Sequence, residues 1–281
     1  MKSITEKTAL SRLVMLTVML TLSACSGNMR GPSGAATLSD ESIATIVNNP
    51  DRSAADRTND IRRQPAKVLS FIGVRPGMVA LDLSAGRGYT TELLARAVWP
   101  TGRVYGQNAP RNTQPGPTVP EGTAAPATPV PATAAPALTL LERTKNPATI
   151  NIIPVTQKFE NPAPAEVASN ALDLATMMFN YHDLGHLGVD RAQMNKVVFN
   201  ALKPGGIYVI ADHSGRAGTG ISESGTLHRV EEAYVRKELE VAGFRLVEQG
   251  NFLRNPLDPR DKNTPEPPQP KDEFFLKFVK P

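Results

Sequence analysis

The apolar positions along the chain follow two periods. Between residues 40 and 72 they recur at helical spacing. Ile43, Ile46 and Val47 follow a capping Asp40, and Val68, Leu69, Phe71 and Ile72 follow Pro65. Asn49-Pro50 separates the two stretches, and Gly73 closes the second. From residue 78 the pattern changes. Met78–Leu83 is an apolar run broken only by Asp82, which reads as a strand buried on both faces. Arg103–Gly106, Ile150–Pro154, Ala171–Phe179 and Ile207–Ala211 repeat it. Helical stretches lie between them: one carries Leu93, Leu94 and Val98 behind a capping Thr90 or Thr91. A second runs from Arg191 to Leu202 behind Asp190, with Met194, Val197, Val198 and Leu202 as its stripe. A third starts at His228-Arg229, continues through Leu239 and stops at Gly243. Phe244–Val247 and Phe274–Val279 read as a final antiparallel pair. Strands alternating with helices predict an α/β fold with a mostly parallel sheet.

The polar breaks in this pattern hold the candidate chemistry. After the run at Met78–Leu83 comes a small-residue turn, Ser84-Ala-Gly86-Arg-Gly88, and then a helix start. Strand, glycine turn and helix together can cradle a cofactor, because glycine admits a close backbone approach and a helix N-terminus offers unpaired N–H groups. Three readings stay open on these residues: a dinucleotide site, a different nucleotide cofactor, and a tight turn with no ligand. The dinucleotide pattern asks for a third glycine and an acid about 20 residues on. Thr91 stands at the glycine position, and the next strand ends in Gln107-Asn108.

The fourth predicted strand ends in Asn180-Tyr-His182-Asp183, and the fifth in Asp212-His213-Ser214. Ligands in open α/β sheets sit beyond such C-terminal strand ends. His182 is a candidate base on its ordinary pKa of about 6.5; the competing reading is a helix cap and a structural histidine. His182-Asp-Leu-Gly-His186 approaches a His-Glu-x-x-His zinc pattern. That pattern needs a helix with both histidines on one face, and a strand-end loop would not supply it, so no metal is expected. Gly215 to Gly225 is a candidate lid, flanked by His213 and His228. Arg52, Arg57, Arg62 and Arg63 read either as a solvated helix face or as residues covering a site. Arg254-Asn255-Pro256, in a Pro-rich stretch from Asn255 to Pro270, is placed to bend back toward it.

Composition narrows the possibilities. Half of the net charge of +4 lies in residues 1–24, where Lys2, Lys7 and Arg12 outnumber Glu6. The +2 left on the remainder, with aromatics at 5%, gives no nucleic-acid surface. A small-molecule partner is expected instead. The basic start leads into the apolar Leu13–Leu22, too short to span a bilayer, and both read as a signal segment. Cys25 is the one cysteine in 281 residues, so no intrachain disulfide can form. Residues 25–39 read as a tether. Ala109 to Ala137 is low-complexity Pro, Ala and Thr, which cannot form a packed core, and reads as a disordered insertion in a domain spanning 40–281.

Two resemblances sharpen this. Leu22-Ser-Ala-Cys25 resembles a bacterial lipobox, which implies cleavage after residue 24, lipidation of Cys25 and attachment on the periplasmic side of the envelope. Ser26 resembles a signal for outer-membrane sorting. Asp82-Leu-Ser84-Ala-Gly86-Arg-Gly88, with Leu202-Lys-Pro-Gly-Gly-Ile207 later, resembles class I S-adenosylmethionine (SAM)-dependent methyltransferases, with Ser84 in place of a glycine. Phe71-x-Gly73-Val74-x-Pro76-Gly77 and the Asp212-His213, Leu227-His228-Arg229 and Leu253-Arg254-Asn255-Pro256 segments resemble methyltransferases predicted in bacterial envelopes. The resemblance implies a Rossmann-like, seven-stranded, mostly parallel sheet with helices on both faces and an antiparallel last strand. It implies SAM as cofactor, held by Asp82, Ser84, Gly86, Gly88 and Asn180, with Gln107 at the ribose where an acid is usual. Thr156, Gln157 and Phe159 fall where such folds line the adenine. His182, Asp183 and His213 are then the residues to orient or deprotonate a methyl acceptor. Ser84 and Gln107 also fit an alternative, a non-catalytic envelope lipoprotein on a decayed methyltransferase scaffold.

Overall fold

The computed structural model describes residues 36–110, 137–265 and 268–281. The signal segment at 1–24, Cys25, most of the tether and nearly all of the low-complexity insertion lie outside the described residues. In chain order the elements are α1 (Asp40–Val47), α2 (Ala54–Arg63), α3 (Pro65–Ile72), β1 (Val79–Leu83), α4 (Tyr89–Val98), β2 (Arg103–Asn108), α5 (Leu140–Arg143) and β3 (Ile152–Thr156). There follow β4 (Leu172–Met178), α6 (Asp183–His186), α7 (Arg191–Ala201), β5 (Leu202–His213), α8 (Ser224–Leu227), α9 (Glu232–Val241), β6 (Arg245–Gly250) and β7 (Glu273–Val279).

The seven strands form one sheet in the order β3-β2-β1-β4-β5-β7-β6. β1 to β5 pair in parallel, and β7 is antiparallel to both neighbours. The sheet and its helices match the expected architecture. Each face carries its own apolar core: Ile72, Ala80, Leu94, Leu174 and Val209 lie in one, Leu81, Tyr105, Ala175, Tyr208 and Phe278 in the other. Burial on both faces explains why the central strands read as unbroken apolar runs rather than alternating ones. The order reverses between β1 and β4, so the chain leaves these two strands in opposite directions and opens a crevice at their C-terminal ends.

Four departures from the sequence reading bear on the site. α2 forms where the sequence shows only charge. Of the four arginines, Arg57 and Arg62 are exposed, as a solvated face requires, whereas Arg52, just before α2, is buried and grips Asp60 through two bonds of 2.7 and 2.9 Å. α4 is capped by Gly88 in the left-handed region, φ 86°, because Thr91 turns its hydroxyl inward to Asp82. β5 starts at Leu202, and Lys203–Gly206 interrupts its pairing with β4 between Leu172 and Leu174. α9 starts at Glu232, not at His228-Arg229. Arg229 is fully buried and pairs with Asp258 at 2.8 and 3.1 Å. The same bond pins the Pro-rich stretch after Arg254 against the sheet edge.

A buried charge network ties α2 to the sheet. Arg143 of α5 donates to both oxygens of Asp56 on α2 (2.7 and 2.9 Å), to Glu92 on α4 and to the Arg87 carbonyl. Its side chain is 1% exposed. Removing one partner of such a cluster strands the rest without water. Arg143→Ala should therefore lower unfolding stability by about 3–5 kcal/mol in urea melts. A loss under 1 kcal/mol would mean that the network carries no weight.

Candidate functional site

The crevice between β1 and β4 holds a cleft of about 310 Å³ lined by Arg63, Asp82, Ser84, Gly86, Phe179 and Asn180, among others. Asp82 forms its floor. Each carboxylate oxygen accepts one hydroxyl, from Thr91 at 2.6 Å and from Thr176 on the facing strand at 2.7 Å. The Thr91 backbone N–H also bonds the carboxylate, which leaves one of its four lone pairs for a ligand. Burial raises the Asp82 pKa to about 6, although the two hydroxyls and Arg63 oppose the shift. Ser84 takes the conformation that a glycine usually fills, φ 53°, and its hydroxyl bonds Asn180 Oδ1 at 2.5 Å. That bond explains how serine is accommodated there: it offsets part of the strain of a left-handed backbone.

Three arginines line the cleft: Arg143 is bonded to Asp56 and Glu92, Arg87 to the Ala137 carbonyl, and Arg63, at the end of α2, is the one left for a ligand. Its guanidinium lies over the Phe179 ring at 4.7 Å and the Tyr89 ring at 5.4 Å. Among the described residues it makes no hydrogen bond or ion pair. Burial lowers its pKa, with Arg62 beside it acting in the same direction. Arg63 and Asp82 thus place opposite charges in one cleft. Of the sequence readings for the four arginines, cover over a site fits this residue; it was one of four, and its place in the lining of the cleft singles it out.

The glycine turn is clamped from β2. Ser84 N donates to Gln107 Oε1 at 3.0 Å and Ala85 N to the Gln107 carbonyl at 2.8 Å. Gly86 N donates to Asn108 Oδ1 at 2.8 Å, and Asn108 returns a bond to the Gly86 carbonyl. The other end of the Gln107 amide donates to the Gln157 carbonyl at 2.6 Å. Gln107 is fully buried, so it presents no free group to a ribose and the expectation for it is corrected. Gly88 is corrected too. A Cβ there would lie 2.8 Å from Leu140 and 2.9 Å from Arg143, so its role is to admit α5. Gly86 does face open space, with nothing nearer than 3.9 Å to its added Cβ.

Beyond Phe179 and Asn180 lies a second polar region that contains all four histidines of the chain. His182 Nδ1 meets Asp212 at 2.6 Å and Nε2 meets Asp183 at 3.1 Å. The Asp183 and Asp212 carboxylates overcome the opposing effect of burial and raise the His182 pKa to about 9. His182 is held as the cation at neutral pH with both ring nitrogens facing carboxylates, so it must give up a proton before it can accept one or bind through Nε2, which weighs against its reading as a base. Asp183 is lowered to about 2 because its bonds to His182 and His228 outweigh its burial. His213 stacks on Phe179 and on His182. Its Nδ1 comes within 3.1 Å of Glu273 without hydrogen-bond geometry, and burial lowers its pKa to about 3, leaving a neutral and very weak base. Glu273, which the sequence reading passed over, is buried, bonded to Arg62 at 2.7 Å and raised to about 7 by burial. No sequence signal pointed to it: the strand register that sets it opposite His213 emerges only in the folded sheet.

The expected lid is folded against this region: Ser224 Oγ bonds the His182 carbonyl at 2.5 Å and Gly220 N bonds Glu231. Asn180 joins the two regions. Its Oδ1 faces Ser84 and its Nδ2 donates to Asp183 at 2.8 Å.

No family model matches the sequence, and no curated protein does. Solved structures do resemble it. A SAM-dependent methyltransferase from Aquifex aeolicus matches with a TM-score of 0.51 at 17% identity, over 87% of this chain and 100% of that one. A chain from the Haloferax volcanii complex of the Trm112 methyltransferase activator with a candidate methyltransferase matches at 0.53 and 17% identity, over 81% and 93%. A candidate methyltransferase from Bacillus halodurans matches at 0.50 and 14% identity, over 77% and 98%. At such identities the likeness establishes the Rossmann-like methyltransferase fold and leaves the chemistry to the site.

The buried Asp82 carboxyl predicts a pH signature. Its folded pKa of about 6 stands above the ordinary 3.8. Folding therefore favours the protonated acid. That contribution is complete below about pH 4 and is lost as the pH rises through 6, about 3 kcal/mol in all. Asp82→Asn is neutral throughout. Its stability relative to the parent should improve by about 3 kcal/mol between pH 4 and pH 8. Urea melts across that range measure this, and a flat difference would contradict the burial argument.

Proposed function

We propose that the protein is a methyltransferase that binds SAM in the Arg63–Asp82 cleft and methylates a small molecule. The observation that carries this reading is the pair of opposite charges in an open cleft at the crevice of this fold. The amino-acid end of SAM carries both a carboxylate and an ammonium. Arg63 would hold the first, and Asp82 with Ser84 the second, while Gly86 admits the ligand beside the turn. At the ribose the usual position is spent, since Gln107 is bound within the protein; Asn59 lines the same cleft with an uncommitted amide. Bound SAM supplies an electrophilic methyl group. The protein's task is then to position the acceptor and exclude water. Asn180, held by Ser84 and Asp183, stands where the cleft meets the histidine region.

One observation favours the second reading, a binding protein without catalysis: His182 is cationic and His213 a very weak base, so neither removes a proton at neutral pH. An acceptor ionised before it binds needs no such base.

Calorimetric titration of SAM and S-adenosylhomocysteine into the soluble chain from Ser26 tests the proposal. Saturable binding is expected, weakened roughly 10- to 100-fold in Arg63→Ala, the worth of a charge-assisted bond, and lost in Asp82→Ala. Folded protein that binds neither ligand at millimolar concentration overturns it. Binding without turnover across an acceptor screen would favour the second reading.

We propose further that the chain works on the periplasmic side of the bacterial envelope, anchored through lipid on Cys25 and sorted to the outer membrane. The support is the basic start, the short apolar run and Leu22-Ser-Ala-Cys25. Acyl chains hold a protein by burying methylenes, and stable attachment takes more than one. Mass spectrometry of the mature N-terminus should find diacylated or triacylated Cys25, and Cys25→Ser should leave the membrane fraction. An unmodified cysteine, or a Cys25→Ser protein still in the membrane fraction, would refute the anchor.

A further inference from the structure

The histidine region contains a set of atoms that the methyl-transfer reading does not use. His182, Asp183 and His228 each turn one donor atom to a common point, and the three atoms lie within 4.8 Å of one another. Asp183 Oδ1 stands between the two rings, 3.1 Å from His182 Nε2 and 3.0 Å from His228 Nδ1. Around a tetrahedral metal with bonds near 2.1 Å, donor atoms sit ~3.4 Å apart. Two of the three separations are already close to that, and His228, with a 40% exposed side chain, has room to close the third. We propose that His182 Nε2, Asp183 Oδ1 and His228 Nδ1 bind one divalent transition metal ion of the zinc class.

The surroundings are built for that role. Metal-binding histidines characteristically donate their second ring N–H to a carboxylate, which fixes the tautomer and the ring. His182 does so: Nδ1 meets Asp212 at 2.6 Å, while its backbone N–H donates to the other Asp212 oxygen at 2.7 Å. Asp212 is fully buried and also receives the His213 N–H at 2.7 Å. Asp183 is oriented in the same way. Asn180 occupies its Oδ2 at 2.8 Å, which leaves Oδ1 for the two histidines. His228 holds the left-handed backbone at φ 50° that ends α8. Ser224 of α8 fixes the helix to the His182 carbonyl. Both loops that carry ligands are thus fastened to one another beside the donor atoms.

The donor set names the metal class. Two imidazoles and one carboxylate suit zinc, iron, cobalt or nickel, whereas magnesium and calcium take oxygen ligands. Three protein ligands leave a coordination position open. Asp183 and His228 are partly exposed, so an exchangeable oxygen ligand, water or a small hydroxylated or anionic molecule, can fill it. The His182-Asp-Leu-Gly-His186 segment is not itself the site. The structure does make a helical turn there, contrary to the loop expected, but His186 Nδ1 bonds Ser224 Oγ at 3.0 Å and stands 3.9 Å from Asp183.

The test uses the purified full-length protein in detergent, metal-free, with Zn²⁺ or Co²⁺ as the only ligand and no SAM. Zn²⁺ calorimetry should give one site per chain, and Co²⁺ should develop the visible absorption of a low-coordinate nitrogen and oxygen site. Mg²⁺ should not compete at a hundredfold excess. His228→Ala and Asp183→Asn should each weaken Zn²⁺ binding at least tenfold, with circular dichroism unchanged. Asp212→Asn, which touches no metal, should weaken it 10- to 100-fold through His182. His186→Ala should bind as the parent does. No saturable binding by folded protein, binding indifferent to His228→Ala, or equal loss in His186→Ala would each overturn the assignment. Because no SAM is present, failure of the cofactor proposal would leave these outcomes standing.

Discussion

Everything at the open end of the sheet hangs on one buried carboxylate. Asp82 lies one residue before the end of β1, and its two oxygens take one hydroxyl from the helix that follows and one from the neighbouring strand, β4. Burying a charge is costly unless its hydrogen bonds are met. Here they are met from two directions, so the same bonds that offset the desolvation also fix β1, α4 and β4 relative to one another. The crevice between β1 and β4 acquires a rigid floor with a defined charge. Around that floor Ser84 and Phe179 hold the left-handed backbone that residues with side chains rarely adopt; the Ser84 hydroxyl bonds Asn180, and the Phe179 N–H donates to the Ala211 carbonyl at 2.7 Å.

The fold was legible in the sequence because its signals are local. Val, Ile and Leu runs buried on two faces, Pro and Gly between them, and the Lys203-Pro-Gly-Gly206 segment each act within a few residues. Of the helices that escaped, α5, α6 and α8 are single turns, and α2 is held by long-range charge. Nothing in Ala54–Arg63 shows that Asp56 will meet an arginine 87 residues away. The cleft was half legible. Asp82, Ser84, Gly86 and Asn180 line it because strand ends and turns point where the topology sends them. Gln107 and Gly88 do not line it, and the reason is tertiary: an amide in the right position satisfied the turn instead, and a short helix closed over the glycine. Protonation states were the least legible of all. His182 and His213 stand 5.5 Å apart by ring centre, yet one is cationic and the other neutral. Two carboxylates face the first, while the second meets one without bonding geometry.

The two polar regions share a wall rather than a volume. Phe179 separates them, with arginines over its ring and His213 against it, and Asn180 bonds across. Such a wall lets the two sides carry different electrostatics within a short distance. The cleft offers a cation and an acid to a zwitterion. The far side offers imidazoles and carboxylates gathered from β4, β5 and the loop before α9. Hydrogen bonds from Ser84 to Asn180 and from Asn180 to Asp183 run from one side to the other.

The clamp on the glycine turn also has a consequence for how the gene can change. The segment at 111–136 leaves β2 just after Asn108, whose amide grips Gly86. The chain returns at Ala137, which meets the Arg87 side chain, and at Leu140, packed on Gly88. Both ends of the insertion are therefore fastened to the turn itself. Loop closure costs only about 0.6 kcal/mol for each doubling of length. Residues can be gained or lost between those anchor points at little expense, while a single substitution at Asn108 or Leu140 would be felt at once. Descendants of this sequence should vary freely in the length of this segment and hardly at all in the residues at its two ends.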